Sequence, residues 1–313
     1  VTAEQDEDSH GRRWPLVPTE GNPVSAIRRF FSSALSAGPS VGEALRRATP
    51  HLHAVSATPR LDAELLLSHV TSLSRTSLVA HPEQTLSLPQ ESAYAELVAQ
   101  RALHVPLPYL TGFAEFYGLE FEVTPEVLIP RPETELLVDL ALARQPATVV
   151  DVCTGSGCVA IALASRLSQA LIYASDISQA ALAVARRNAE RHGVAERVHL
   201  ILGDILTPRP PLVEVIVANP PYVADDEWAS LPVSVRDYEP RIALDGGPDG
   251  LTIIQRLLNE APAVLRPGGH LLVEIGARQG EAAAHLARTA FPNAAVSIHP
   301  DLAGLDRVLE VAT

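Results

Sequence analysis

The 313-residue chain has no methionine and two cysteines, Cys153 and Cys158. For the missing methionine the sequence offers no physical reason. Two cysteines do not make a disulfide framework. No further ligands cluster beside them, so a metal site is not expected and both read as small packing residues. No apolar run approaches the length of a membrane span. The first residues are polar and acidic, so no signal peptide is expected, and a cytoplasmic enzyme is the default. The 11 histidines are scattered. Their close pair, His51 and His53, is explained by a solvated loop, and no Ser-His-Asp arrangement has supporting context.

Positive charge is also scarce. Lys and Arg number 24 against 37 Asp and Glu, for a formal net charge of −13. The deficit is uneven: −3 over residues 1–24, +1 over 25–105 and −11 over 106–313. An acidic C-terminal half argues against a nucleic-acid groove, which needs a basic footprint on the protein. What is abundant is apolar side chain, 47% of residues, enough for a real core and, at this length, for two domains.

Residues 1–24 mix charge, Pro and Gly without periodicity and read as a disordered acidic tail. A helical pattern begins at Ser25, with Ile27, Phe30, Phe31 and Leu35 on one face. A second helix begins at Val41 and is expected to end at Pro50; a third opens at Pro59; a fourth starts at Pro89 with Ser87 as its cap. Residues 25–105 are therefore expected to form a small helical bundle, for packing or for partner recognition. The alternation through Phe116–Val123, around Gly118, predicts a β-hairpin within a linker over 106–127. Pro130-Arg131-Pro132-Glu133-Thr134-Glu135 is a helix entry with acids in the first turn, and Arg131 and Thr134 can also face a ligand.

From residue 128 to the end, strands and helices alternate. Strands are expected at Thr148–Val152, Leu171–Asp176, Val198–Leu202, Val215–Ala218, His270–Ile275, Ala294–Ile298 and Arg307–Val311. Helices are expected over Cys158–Arg166, Ser178–Ala189 and Leu251–Leu265, with Arg266–Gly269 as a turn. This βαβ repetition specifies an α/β fold with a mostly parallel, doubly wound sheet.

Two constellations carry chemistry. The loop Cys153-Thr154-Gly155-Ser156-Gly157 joins the first of these strands to its helix, and Asp176 ends the next strand. Glycines admit a ligand to the backbone, the helix start offers free N–H groups, and the acid can accept both hydroxyls of a ribose. A nucleoside-bearing cofactor follows. Position 160 is Ala, which departs from the third glycine of the dinucleotide fingerprint but is tolerated there. Asp204, at the end of the third strand, can accept from an adenine amino group or is simply a surface Asp in a turn.

The second constellation is Asn219-Pro220-Pro221-Tyr222, at the carboxyl end of a buried strand. Two prolines stiffen the corner and remove two donors, and Asn219 is pushed towards extended geometry. Read alone, this is a rigid turn. Read chemically, it offers paired acceptors beside an aromatic face, which can hold a planar NH2 group while it takes up a methyl group. Hydride transfer has no use for such a corner; S-adenosylmethionine suits both constellations.

Taken together, Pro59–Leu67, Pro108–Gly112, Ile129–Glu135, Asp151–Gly157, Asn219–Tyr222, Glu239–Gly250 and Asp301–Val308 resemble the protein-(glutamine-N5) methyltransferases, the HemK/PrmC family, over about residues 25–312. Asn-Pro-Pro-Tyr alone is shared with adenine-N6 DNA methyltransferases and some guanine-N2 RNA enzymes; the Pro-Arg-Pro-Glu-Thr-Glu stretch and the helical N-terminal domain are more specific. The resemblance implies a seven-stranded, Rossmann-like class I methyltransferase domain over 128–313, its last strand antiparallel, preceded by a helical substrate-recognition domain. It implies S-adenosylmethionine as donor, S-adenosylhomocysteine as product, and as substrate the glutamine of the Gly-Gly-Gln motif of peptide chain release factors. By position it places the cofactor on Cys153, Thr154, Gly155, Ser156, Gly157, Asp176, Asp204, Ile205 and Asn219. Ile205 stands where relatives often carry an aromatic residue. It places the substrate amide on Asn219, Pro220, Pro221 and Tyr222, with Asn219, Pro220 and Tyr222 catalytic, no metal, no membrane and no nucleic acid. The alternatives are a glutamine methyltransferase of a ribosomal protein and a nucleic-acid base methyltransferase.

Overall fold

A computed structural model describes residues 38–313. The tail expected over 1–24 and the helix expected around Ile27–Leu35 lie outside the described residues. By internal contacts the chain divides into two units, Val1–Thr111 and Gly112–Thr313.

The first unit is helical: α1 Val41–Leu52, α2 Pro59–Thr71, α3 Arg75–Ala80, α4 Leu88–Ala102 and α5 Leu107–Thr111. Local chemistry sets most of the starts. Ser40 accepts from the Glu43 N–H, Pro59 opens α2, and Ser87 forms a reciprocal capping box with Gln90. Contrary to expectation, α1 continues through Pro50 to Leu52. A proline so near the end forfeits one intrahelical bond, and buried Leu52 anchors the turn that follows it. Helices α3 and α5 are too short to show a period. The segment 107–111, within the expected hairpin linker, is thus helix. Leu45, Leu66, Leu67, Tyr94 and Tyr109 fill the core. Buried Arg101 binds Asp62 at 2.8 Å and the carbonyl of Val55 at 2.7 Å, so a paired charge ties the α1–α2 connection to α4.

The second unit opens with a hairpin, β1 Phe113–Phe116 and β2 Leu119–Glu122. Tyr117 and Gly118 both have positive φ, as a two-residue hairpin turn requires. Then come α6 Glu135–Ala143, β3 Thr148–Val152, α7 Cys158–Arg166, β4 Leu171–Asp176, α8 Gln179–Arg191, β5 Val198–Leu202, β6 Val213–Ala218 and α9 Val233–Arg236. The chain ends with α10 Thr252–Glu260, β7 Leu265–Glu274, α11 Gly280–Ala290, β8 Ala295–Pro300 and β9 Asp306–Ala312. The helix expected over 251–265 stops early, at a 3-10 turn containing Pro262. Residues 266–269 bulge out of β7, because Val213 pairs with Leu265 and Val215 with His270.

The seven strands lie in the order β5-β4-β3-β6-β7-β9-β8, with β9 antiparallel to both neighbours. The central strands are apolar in near-continuous runs because both faces are covered. Val149, Val215, Val217 and Leu272 meet the side carrying α6 and α7. Val150, Ile216, Leu271 and Val273 meet the side carrying α10 and α11. Strand order reverses between β3 and β6, so the crevice at their carboxyl ends is the place where such a sheet takes a ligand. The loop 153–157 and Asn219 lie at those two ends.

Candidate active site

The loop after β3 is shaped by its own residues. Cys153, Gly155 and Gly157 all have positive φ. The Thr154 hydroxyl donates to Asp151 at 2.6 Å, and the Ala160 N–H, in the first turn of α7, donates to the same oxygen at 3.2 Å. Buried Asp151 thereby clips the loop to the helix start, and burial raises its pKa to about 7. At Gly155 a Cβ would meet open space, whereas at Gly157 it would press on Ile161 and Ala185 at 3.0 and 3.1 Å. One glycine leaves the loop open to a ligand; the other lets α7 lie close to α8.

Asp176 takes the Gly155 N–H at 2.9 Å on one oxygen and the Ser178 N–H at 2.8 Å on the other. Burial raises its pKa. Each oxygen keeps a lone pair for a ligand hydroxyl. On the next loop, Ser175 holds the Ile205 carbonyl at 2.9 Å, Ile205 itself has positive φ, and Asp204 is paired with Arg256 at 2.8 Å.

At the end of β6, the Asn219 Nδ2 donates to the Thr134 hydroxyl at 3.1 Å. The Tyr222 hydroxyl donates to Glu274, the last residue of β7, at 3.2 Å. Burial raises the Tyr222 pKa, and the adjacent Glu274 charge adds to it, so the hydroxyl stays protonated. The Tyr222 backbone is held in turn. Gln279 Nε2 donates to its carbonyl at 2.9 Å. A Cβ at Gly246 would sit 2.7 Å from its Cα, and one at Gly250 would overlap its carbonyl. The stretch Glu239–Gly250, which composition alone left without a role, therefore braces the Asn-Pro-Pro-Tyr corner through bare glycine backbone. Its other end supplies Glu239, which accepts from Arg131 and from the Ile129 N–H at 3.2 Å, fixing the Pro-Arg-Pro segment.

These loops enclose a cavity of about 560 Å³. Of the residues singled out in the sequence, Cys153, Thr154, Gly155, Ser156, Asp176, Asp204, Ile205, Asn219 and Pro221 line it, as do Arg131 and Thr134. Gly157, Pro220 and Tyr222 do not. Gly157 faces α8 instead, and Tyr222 packs on the apolar core beside β7. Sequence reasoning missed Ile242 on the rim, 60% exposed, and Arg256. Each arginine of the lining is already bound to a carboxylate: Arg131 to Glu239, Arg241 to Asp245 and Arg256 to Asp204. Asp151 and Asp176 have no such cation. Among the described residues the lining thus holds no arginine outside these pairs, which suits a ribose-bearing ligand of positive charge better than a pyrophosphate. Burial pushes both thiols up, Cys158 to about 12, so neither serves as a nucleophile. Among the described residues no cluster of three or more His, Cys, Asp or Glu is placed to hold a metal ion, and no helix is long and apolar enough to cross a membrane.

Two family models match the chain: the PrmC N-terminal domain over residues 43–112 and the methyltransferase small domain over residues 132–232. The release factor glutamine methyltransferase of Moorella thermoacetica is 45% identical over 273 residues, 86% of this chain and 95% of that protein. That of Cereibacter sphaeroides is 43% identical over 268 residues, 85% of this chain and 96% of that protein. A crystal structure of a methyltransferase from Pyrococcus furiosus aligns with a TM-score of 0.49 and 20% identity, covering 63% of this chain and 90% of that one.

Proposed function

The chain belongs to the release factor glutamine methyltransferase family, and we propose that its Asn219–Tyr222 corner transfers a methyl group from S-adenosylmethionine to the side-chain amide nitrogen of the Gly-Gly-Gln glutamine of a peptide chain release factor. The observation that carries this is the orientation of Asn219. Its NH2 end is bound to Thr134, so its oxygen is the end left to receive a substrate amide.

The cavity fits the donor. Gly155 is open above the loop, Asp176 retains acceptors for two ribose hydroxyls, Ile205 offers an apolar wall, and the Asp176 carboxylate, with no arginine bound to it, suits a cation. When bound, S-adenosylmethionine supplies an electrophilic methyl group and leaves as S-adenosylhomocysteine. Everything else is the work of the protein. Asn219 Oδ1 and the Pro220 carbonyl accept the two amide hydrogens of the glutamine. Planar amide nitrogen is a poor nucleophile, so its orientation and the stabilisation of its growing positive charge are the main contributions. The Tyr222 ring lies outside the donor cavity, so any packing on the amide plane is from beyond it, with the hydroxyl hydrogen committed to Glu274. No general base is required before transfer: the nitrogen becomes strongly acidic as it acquires charge, and after the methyl group has moved it loses one of its two hydrogens as a proton to water.

The helical unit is assigned to recognition of the release factor. It carries no chemistry of its own, and residues 25–105 are near neutral beside an acidic half. That acidic half also disfavours DNA or RNA as substrate. A substrate that works on ribosomes supports a cytoplasmic enzyme. The test is methyl transfer from labelled donor to a purified release factor or to duplex DNA. Label on the factor alone is expected; label on DNA alone overturns the reading.

A further inference from the structure

Among the described residues, two strongly exposed apolar side chains line the cavity, Ile177 and Ile242. Ile177 follows Asp176, on the side assigned to the donor ribose. Ile242 lies on the loop that is braced against the Asn-Pro-Pro-Tyr corner, on the side of the substrate amide. We propose that Ile242 is a specificity-determining residue: it fills the space that a side chain next to the target glutamine would need, so that glycine is selected there. The inference rests on the reading of Asn219 as the acceptor of a release factor glutamine.

The glutamine side chain is short. Extended, its amide nitrogen lies about 5 Å from its own Cα by ordinary bond lengths. A glutamine whose NH2 reaches Asn219 therefore brings its main chain to the cavity mouth, and the neighbouring residues pass the rim with it. Ile242, 60% exposed there, cannot withdraw. It sits in a 3-10 turn, Arg241–Ala243. Buried Glu239, just before that turn, holds the Ile129 N–H at 3.2 Å and the Arg131 side chain. Just after it, the Leu244 carbonyl accepts from the Val223 N–H at 2.8 Å, and the Gly246 N–H donates to the Val223 carbonyl at 2.9 Å. Arg241 binds Asp245 at 3.0 Å and lies over the Trp228 ring at 4.7 Å. A β-branched side chain is itself stiff. Held so, Ile242 lets pass a backbone that has no Cβ and stands in the way of one that has. A glycine main chain laid across it also covers apolar surface that is otherwise in water.

Three substrates test this: a release factor, and its variants with alanine for the first or for the second glycine of Gly-Gly-Gln. One methyl group more or less in a close-fitting site is worth about 10- to 200-fold. Wild-type enzyme should therefore prefer the native factor to at least one alanine variant by about tenfold or more in kcat/KM. In Ile242→Ala that preference should shrink about fivefold or more, with Ile242→Val between the two. Comparing enzymes on the same substrates cancels any effect of the alanine on the factor itself. On the native factor Ile242→Ala should lose efficiency through KM more than through kcat. Its affinity for S-adenosylhomocysteine, measured by calorimetry, should change less than about threefold, since the donor side is untouched.

A wild-type enzyme that methylates both alanine variants as well as the native factor overturns the inference. So does a preference that is unchanged in Ile242→Ala, or one that shrinks only as S-adenosylhomocysteine affinity falls by the same factor. Should Ile242→Ala fail to fold, Ile242→Val decides: an unchanged preference overturns the assignment. A wild-type enzyme that transfers no methyl group to the native factor instead overturns the functional reading, which separates the two failures.

Discussion

Asn219 Nδ2 and Thr134 Oγ1 stand 3.1 Å apart across 85 residues of sequence. That bond joins the two motifs that a sequence reader sees as separate, the Pro-Arg-Pro-Glu-Thr-Glu helix entry and the Asn-Pro-Pro-Tyr corner. It turns a rigid corner into a polarised one. Asn219→Ala should lower kcat about 100- to 1,000-fold, the usual effect of removing one oriented hydrogen-bonding group from a reacting centre. Steady-state kinetics with a release factor substrate measures it, and a loss below about tenfold would remove Asn219 from the reacting centre.

Tyr222 separates ring from hydroxyl. Tyr222→Ala should lower the rate while binding of S-adenosylhomocysteine persists, since the ring lies outside the cavity lining. Tyr222→Phe keeps the ring but removes one donor from buried Glu274, at a cost of about 1–3 kcal/mol in stability. The pair is read by kinetics, calorimetry and thermal melts. Full activity in Tyr222→Ala excludes a role for the ring against the amide.

Gly155 and Gly157 should fail differently. Both have positive φ, so alanine strains either by about 1–2 kcal/mol. At Gly157 the new Cβ also crowds Ile161 and Ala185, and the melting temperature should fall first. At Gly155 the Cβ meets no protein atom but projects into space beside the cavity; if the cofactor lies on this loop as proposed, its affinity should fall first, about tenfold. Equal melting temperatures with equal affinities would contradict this division.

Asp151 gives a pH signature. Its folded pKa is raised to about 7 by burial, against about 3.9 for an exposed Asp. The folded state therefore binds more protons between those values, and stability falls as pH rises from about 4 to 7, by up to about 4 kcal/mol at 1.36 kcal/mol per unit. Asp176, Glu239 and Glu274 are raised as well and act in the same sense. The test is thus a difference: Asp151→Asn should flatten the pH dependence of cofactor-free unfolding relative to wild type. An unchanged slope would show that Asp151 is not a buried acid of raised pKa.

The fold was legible wherever local chemistry decides it. Buried two-sided strands read as apolar runs, as at Val215–Ala218, and caps such as Ser87 and Ser178 mark helix starts. Short helices such as Leu107–Thr111 were not legible, because five residues show no period. Pro50 misled because the cost of a proline depends on how much helix remains beyond it. At the site, the meeting of loop residues 153–156 and Asp176 around one cavity follows from the spacing of glycine and acid. Gly157, expected beside them as a ligand contact, lies outside that lining and packs close to α8, which depends on α8 rather than on the motif. The bracing of Tyr222 by Gly246, Gly250 and Gln279, and the burial of Glu274 behind it, depend on loops that meet only when the sheet forms. No local pattern encodes them.

The most direct measurement locates the methyl group. A release factor and its Gly-Gly-Gln glutamine-to-alanine variant are each incubated with the enzyme and S-adenosylmethionine, digested, and sequenced by mass spectrometry. One methyl group on the side-chain amide of that glutamine, and none anywhere on the variant, is the expected result. Methylation of the variant to the same extent, or methyl on another residue of the native factor, would contradict the assignment of the Asn219–Tyr222 corner to a glutamine amide.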